Sequence, residues 1–76
     1  SLDLHGMRGD EAIERLDEFL SAALIAGYDE VLVYHGIGMG ILSKLVYDYL
    51  KTHPKVISFA DAPAQMGGFG AKVVKL

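Results

Sequence analysis

The sequence predicts a two-layer α/β fold, in which a four-stranded mixed sheet carries two helices in the chain order β-α-β-α-β-β. The pattern of apolar residues is the first reason. Short strand-like segments alternate with two longer stretches in which apolar residues recur at three- and four-residue steps, as in amphipathic helices. Size is the second reason, because 76 residues make one domain and a 51% hydrophobic content can fill a single core.

The first predicted strand covers residues 2–5, where apolar and polar residues alternate. Successive side chains of a strand lie on opposite faces of the sheet. Leu2 and Leu4 should therefore face the core, while Asp3 and His5 should share the other face near the carboxyl end of the strand.

The first predicted helix follows a turn at residues 6–9. Asp10 is the predicted N-cap, because its side chain can accept a hydrogen bond from the first helical turn. Gly27 is predicted to end the helix, since glycine readily adopts the left-handed conformation of a helix C-terminus. The buried stripe should consist of Ala12, Ile13, Leu16, Phe19, Leu20, Ala23 and Leu24.

The second strand, residues 31–34, is apolar on both faces, which favours a central position in the sheet. The second helix is predicted over residues 41–51 and should stop at His53, because a residue that precedes proline avoids helical angles. Its buried stripe should consist of Leu42, Leu45, Val46, Tyr49 and Leu50.

Residues 56–60 and 71–76 are the predicted third and fourth strands. The loop between them, residues 61–70, favours an antiparallel pair. Asp61 is predicted to be a turn residue, and Lys72 is predicted to point to solvent.

Composition excludes several classes of protein. Without cysteine there is no disulfide framework and no Cys-based zinc site, and no apolar run is long enough to span a membrane. The net charge of −3 argues against tight, purely electrostatic binding of nucleic acid, although the acidic residues cluster in residues 10–18. Because the chain enters a strand at once, we expect a domain cut from a longer protein. The absence of cysteine is consistent with a cytoplasmic protein, and the absence of a long apolar run predicts no membrane partner.

Two predicted strands end in the same dipeptide, His-Gly, and each is followed by a helix. His5-Gly6 ends the first strand, and the glycine-rich segment His35–Gly40 ends the second. Such turns present backbone N–H groups at a helix N-terminus, where the partial positive charge favours an anion, above all a phosphate. If the two strands are parallel neighbours, the two imidazoles should lie roughly 5–10 Å apart at one sheet edge.

Three segments together resemble the small MutS-related (Smr) domain: Leu-Asp-Leu-His-Gly at residues 2–6, His-Gly-x-Gly-x-Gly-x-Leu at 35–42, and Gly-Gly-x-Gly at 67–70. They stand in the family's order and cover nearly all of residues 1–76. The chain is most similar to the Smr domain that ends the bacterial, recombination-suppressing MutS paralogue. The resemblance implies a single domain whose fold is similar to the C-terminal domain of translation initiation factor three. It also implies nucleic-acid binding and, in several members, cleavage of DNA or RNA.

The resemblance implies the functional residues position by position. Asp3 and His5 match the first motif of the family, which is implicated in cleavage, and His35 matches the second. The residues expected to contact phosphate or nucleic acid are Arg8, Gly36, Gly38, Gly40, Lys44, Gly68 and Phe69.

These residue types suit phosphodiester hydrolysis. One histidine would take a proton from the nucleophile and the other would protonate the leaving oxygen, while Arg8 would stabilise charge on the phosphate. Asp3 would orient His5 or hold a divalent metal, so a need for Mg²⁺ or Mn²⁺ and a metal-independent reaction both stay open. Phe69 would stack on a base or, alternatively, plug the core.

The leading prediction is therefore an endonuclease module that acts on DNA, branched or duplex, or on RNA, with the ribosome and other domains of the parent protein as further partners. A non-catalytic module that binds DNA or rRNA through the same face is the alternative. The negative charge favours it, as do Ile37, Met39 and Ser43, where the family often has Lys, Thr and Arg. A third interpretation is a dimerisation or interaction domain with vestigial motifs, which an exposed aromatic or leucine patch would support.

Overall fold

The structure is a computed structural model that describes all 76 residues. Its elements are β1 (Leu2–Asp3), α1 (Gly9–Ala26), β2 (Glu30–Tyr34), α2 (Ile41–Thr52), β3 (Ser58–Asp61) and β4 (Ala71–Lys75). Two short 3₁₀ turns, Ala64–Met66 and Gly68–Gly70, lie between β3 and β4. The predicted order of strands and helices is confirmed.

The four strands form one sheet in the order β1-β2-β4-β3, with β2 in a central position as predicted. β1 runs parallel to β2, whereas β4 runs antiparallel to both of its neighbours, so the sheet is mixed. One row of paired residues crosses all four strands: Leu2, Val33, Lys72 and Asp61. Side chains in paired positions share a face of the sheet, so this row points to one side.

Both helices lie on one face of the sheet and contact each other. The Tyr49 hydroxyl of α2 donates a hydrogen bond to Asp17 of α1 at 2.6 Å. Gly27 ends α1 in the left-handed conformation, at φ 85°, as predicted. Neither helix has the length and apolar character that crossing a membrane would need. The core between helices and sheet consists of Leu2, Leu4, Ala12, Leu16, Leu20, Val33, Val46, Leu50 and Val74.

The helix termini and the third strand differ from prediction in detail. Asp10 is not the N-cap of α1, because the Ala12 N–H already bonds to the Arg8 carbonyl at 2.8 Å and the helix begins at Gly9. Asp10 instead lies in the first turn, where its charge favours the helix dipole. In α2, Leu45 is 37% exposed rather than buried. β3 begins at Ser58, two residues later than predicted.

Two predictions for the last strands are wrong, and both concern charged residues. Asp61 is not a turn residue but the last residue of β3, paired with Lys72. Lys72 does not point to solvent: it is buried, because it pairs with Val33 and shares the helix-covered face with Val74.

Leu4→Ala should lower the free energy of unfolding by about 2–5 kcal/mol, because Leu4 is fully buried beneath the segment that carries Asp3 and His5. The matched control is Ile25→Ala on the outer face of α1, where the side chain is 88% exposed and the change should stay within about 0.5 kcal/mol. Denaturant unfolding measures both. Equal effects of the two substitutions would contradict the packing of β1 on the core.

Candidate functional site

The three glycine-containing segments meet at one edge of the sheet. β2 ends where β4 begins, so the His35 and Gly36 N–H groups both donate to the Gly70 carbonyl, each at 2.9 Å. On the other side of β2, the Leu4 N–H donates to the Tyr34 carbonyl at 2.7 Å. Segments that lie far apart in the sequence are thereby held together by the backbone alone.

On the sheet face that the helices leave open, these segments surround a shallow depression of about 310 Å³. It is lined by Asp3, His5, Tyr34, Gly36, Ile37, Gly67 and Gly70. Tyr34 was not singled out from the sequence, although its alternation with Val33 along a central strand places it on this face.

Asp3 and His5 lie in this depression, but their contact differs from the expected one. The Asp3 carboxylate accepts the backbone N–H of His5 at 2.8 Å and so orients the chain rather than the imidazole. The His5 ring is exposed and lies against Gly36, where a β-carbon would come within 3.0 Å of His5 Cδ2. Gly36 is also in the left-handed region, at φ 81°, so this position needs glycine.

His35 occupies the same edge of the sheet but not the same depression. The residue is only 3% exposed, and Nε2 lies 3.2 Å from the Lys72 ammonium. Lys72 in turn donates to Asp61 at 2.7 Å. Because an ammonium can only donate, His35 Nε2 accepts, and the proton of the neutral ring is on Nδ1, which donates to the Gly36 carbonyl at 2.7 Å.

Burial lowers the pKa of His35, and the charge of Lys72 acts in the same direction. The ring is therefore neutral and has both nitrogens engaged. The structure does not bring the two imidazoles together: His5 faces the open side of the sheet, and His35 faces the side of the helices. An acid–base pair of these two histidines around one phosphate does not form in this geometry.

Arg8, Lys44 and Phe69, the other side chains predicted to contact nucleic acid, do not line the depression. Arg8 precedes α1 with its side chain 86% exposed, and its Nε is 3.8 Å from Asp10. Lys44 lies in the first turn of α2 and donates to Asp48 at 3.2 Å. Phe69 follows Gly68 in the second 3₁₀ turn and is 77% exposed, so the interpretation of its ring as a plug over the core is wrong.

Three backbone N–H groups of the glycine-rich turn have no hydrogen-bond partner within the chain. Within the turn, the Gly40 N–H donates to the Ile37 carbonyl at 3.1 Å. Ile37, Gly38 and Met39 donate to no other group of the protein. Together with the first turn of α2, they offer the donors that an anion requires.

The residues of the site do not build a metal centre of their own. No group of three or more His, Asp or Glu side chains in the chain is arranged to hold an ion, and Asp3 is the one carboxylate that lines the depression. Divalent hard cations bind through several oxygen ligands. The single carboxylate of the depression does not supply such a set of ligands.

Sequence reasoning missed the buried partners of His35. Lys72 is two positions before Val74, a core residue, so its placement on the inner face follows from the alternation of β4. Asp61 could not be assigned in the same way, because its contact with Lys72 depends on the register between β3 and β4.

Comparison with known proteins gives a consistent result. The family model described as "Smr domain" matches residues 2–76. The chain is 57% identical over 75 residues to the protein named "Endonuclease MutS2" of Helicobacter pylori strain 26695, covering 99% of this chain and 10% of that protein. It is 49% identical over 75 residues to the protein of the same name in Lactobacillus helveticus, again covering 99% and 10%. The chain thus spans about a tenth of the length of these curated relatives.

Solved structures agree with the fold. The crystal structure of the Smr domain of Thermus thermophilus MutS2 superposes with a TM-score of 0.94 at 38% identity, covering 97% of this chain and 92% of that one. YdaL of Escherichia coli, a stand-alone small MutS-related protein, gives a TM-score of 0.93 at 28% identity and covers 97% and 61%. The predicted two-layer α/β fold is confirmed.

Acidification should destabilise the protein through His35. Its pKa in the folded state lies below the usual value of 6.5, so below pH 6.5 the unfolded chain binds the proton first. The contribution of His35 is fully present above pH 6.5 and is lost as the pH falls towards the folded-state pKa, with a slope of at most about 1.4 kcal/mol per pH unit.

Denaturant unfolding between about pH 7.5 and pH 5.5 measures this slope. The variant His35→Gln should have a shallower dependence than the wild type. Equal slopes for the wild type and His35→Gln would contradict a neutral, buried His35.

Proposed function

Because the chain belongs to the Smr domain family, we propose that it is the module of a MutS-like protein that binds nucleic acid and cleaves a phosphodiester bond. The observation that carries the proposal is the depression itself. One exposed imidazole, His5, lies beside a turn in which three backbone N–H groups have no partner within the chain. The names of relatives that share about half of its residues, "Endonuclease MutS2", support the same reaction class.

His5 is the proposed general base. Its imidazole would take the proton from the attacking oxygen, either of water or of an RNA 2′-hydroxyl. As the new phosphorus–oxygen bond forms, the bond to the leaving oxygen breaks, and that oxygen takes a proton from solvent or from the imidazolium. Asp3 keeps His5 in place through its backbone N–H.

The phosphate would lie against the glycine-rich turn. The N–H groups of Ile37, Gly38 and Met39 and the N-terminus of α2 would stabilise the charge that develops on it. Arg8 is the proposed cation, since its side chain is 86% exposed, whereas Lys72 is held by Asp61.

Bases would be held by apolar contact rather than by charge. Phe69 is exposed beside the depression, and Ile37, Met39 and Ile41 expose further apolar surface on the neighbouring turn. Aromatic stacking tolerates any base, so we propose that the domain prefers nucleic acid with unstacked bases, in DNA or RNA. In the parent protein this module would act in the cytoplasm in the suppression of recombination or at stalled ribosomes.

A second function, binding without cleavage, is favoured by the position of His35. Two-histidine acid–base chemistry needs both rings at the phosphate, and His35 faces the other side of the sheet. In that case the same surface would bind DNA or rRNA, and other domains of the parent protein would catalyse the reaction.

His5→Ala should lower the rate of cleavage by at least about a hundredfold, the usual contribution of a general base. Supercoiled plasmid and a structured RNA would be the substrates, with EDTA, Mg²⁺ or Mn²⁺ present in separate reactions. His53→Ala is the matched control, because His53 follows the far end of α2, about 18 Å along the helix from the site.

Each result of that assay has one meaning. Cleavage that survives EDTA supports catalysis by side chains alone, and cleavage only with Mg²⁺ or Mn²⁺ shows that a divalent ion takes part in the reaction. If the folded wild type binds both substrates and cleaves neither, the nuclease proposal fails and the binding module replaces it.

Phe69→Ala should weaken binding of a single-stranded oligonucleotide by about tenfold, since one stacked base contributes about 1–3 kcal/mol. Phe69→Tyr keeps the ring and should bind like the wild type. The control Tyr47→Ala removes another exposed ring, which packs edge-on against Phe59 at 5.4 Å. Fluorescence anisotropy measures all four proteins, and equal losses for Phe69→Ala and Tyr47→Ala would argue against stacking by Phe69.

A further inference from the structure

The ion pair beside His35 joins a buried ammonium to a half-exposed carboxylate. Lys72 and Asp61 come from adjacent strands, and the Lys72 side chain is 8% exposed while that of Asp61 is 47% exposed. Burying an ammonium is costly even when it is paired, and an apolar pair of similar size often gives equal or greater stability. Any specific role of these two residues therefore depends on the groups that they contact.

They contact the glycine-rich turn through His35. The chain of hydrogen bonds runs from Asp61 to the Lys72 ammonium, from that ammonium to His35 Nε2, and from His35 Nδ1 to the Gly36 carbonyl. Each link fixes the next, because the ammonium only donates and so selects the ring tautomer that has its proton on Nδ1. The Gly36 N–H is fixed independently by the Gly70 carbonyl.

The direction of the Gly36 carbonyl decides the direction of the next N–H. All peptide bonds of the chain are trans, and in a trans peptide the carbonyl and the N–H of the same plane point in opposite directions. Holding the Gly36 carbonyl towards His35, on the side of the helices, therefore turns the Ile37 N–H towards the open side. Ile37 lines the depression there, and its N–H has no partner in the chain.

We infer that Lys72 and Asp61 are positioning residues that act through His35 to aim the Ile37 N–H at a bound phosphate. The inference rests on the proposed function for the identity of the ligand, a phosphate of nucleic acid. In this arrangement His35 contributes to the site without contacting the substrate. It also predicts that neutralising an acidic residue will weaken the binding of an anion.

The direction of this change in affinity distinguishes a positioning role from simple electrostatic attraction. Asp61→Asn removes a negative charge and frees Lys72, so electrostatics alone would strengthen nucleic-acid binding. The inference expects the opposite, a loss of about tenfold for Asp61→Asn and for Lys72→Met, the scale of one charge-assisted hydrogen bond. The chain offers a matched control pair, because Lys75 and Glu30 are also 2.7 Å apart, at the other end of β4.

The experiment measures the affinity of a single-stranded DNA oligonucleotide for the wild type, Asp61→Asn, Lys72→Met, Glu30→Gln and Lys75→Met. The two site variants should lose about tenfold relative to the control that carries the same change of charge. Unchanged or tighter binding by Asp61→Asn relative to Glu30→Gln would overturn the inference. Thermal unfolding of each variant confirms that it is folded.

Nitrogen NMR of the His35 ring supplies a readout that needs no nucleic acid. The wild-type ring should have its proton on Nδ1, because Nε2 faces the Lys72 ammonium and Nδ1 faces the Gly36 carbonyl. A wild-type ring protonated on Nε2 would overturn the inference whatever the affinities are. A wild type that binds no oligonucleotide but has the expected tautomer would count against the proposed function and leave the arrangement of His35 and Gly36 standing.

Discussion

The antiparallel pairing of β2 with β4 is the interaction on which the rest of the structure depends. Five pairs, from Glu30–Lys75 to Tyr34–Ala71, fix these two central strands against each other. Because the strands run in opposite directions, the residue after β2 meets the residue before β4, and His35 and Gly36 both bond to Gly70. β1 then adds to the free edge of β2 in parallel and brings Asp3 to the same end. The site is a consequence of this register.

The same register explains why a lysine is buried. Side chains of a strand alternate between faces, so the pairing that places Val74 in the core also places Lys72 on the inner face. A slip of one residue would expose Lys72 but would also expose Val74. Since the core needs Val74, the ammonium has to be satisfied where it lies, and Asp61 and His35 are its partners.

Much of the fold was predictable because it depends on local patterns, whereas the partners of the charged residues in β3 and β4 depend on register. The helices, the strand order along the chain and Gly27 follow from periodicity and from the conformational freedom of glycine. The inward position of Lys72 was within reach of the sequence through its alternation with Val74. The contact with Asp61 was not, because no local pattern tells which residues of β3 and β4 face each other. The orientation of His35 away from His5 likewise could not be predicted without the strand pairing of the whole sheet.

Because the two histidines are separated, the site contains one exposed imidazole and not an acid–base pair. A single exposed imidazole can activate a nucleophile, but the leaving oxygen then lacks a dedicated acid. In RNA the 2′-hydroxyl is already held beside the phosphorus, so the site would need to supply only proton transfer and stabilisation of charge. In DNA a water molecule has to be positioned as well, and the site has few groups for that purpose, since Asp3 already bonds to the His5 backbone. With only His5 and the glycine-rich turn, cleavage of RNA would therefore require fewer groups from the site than cleavage of DNA.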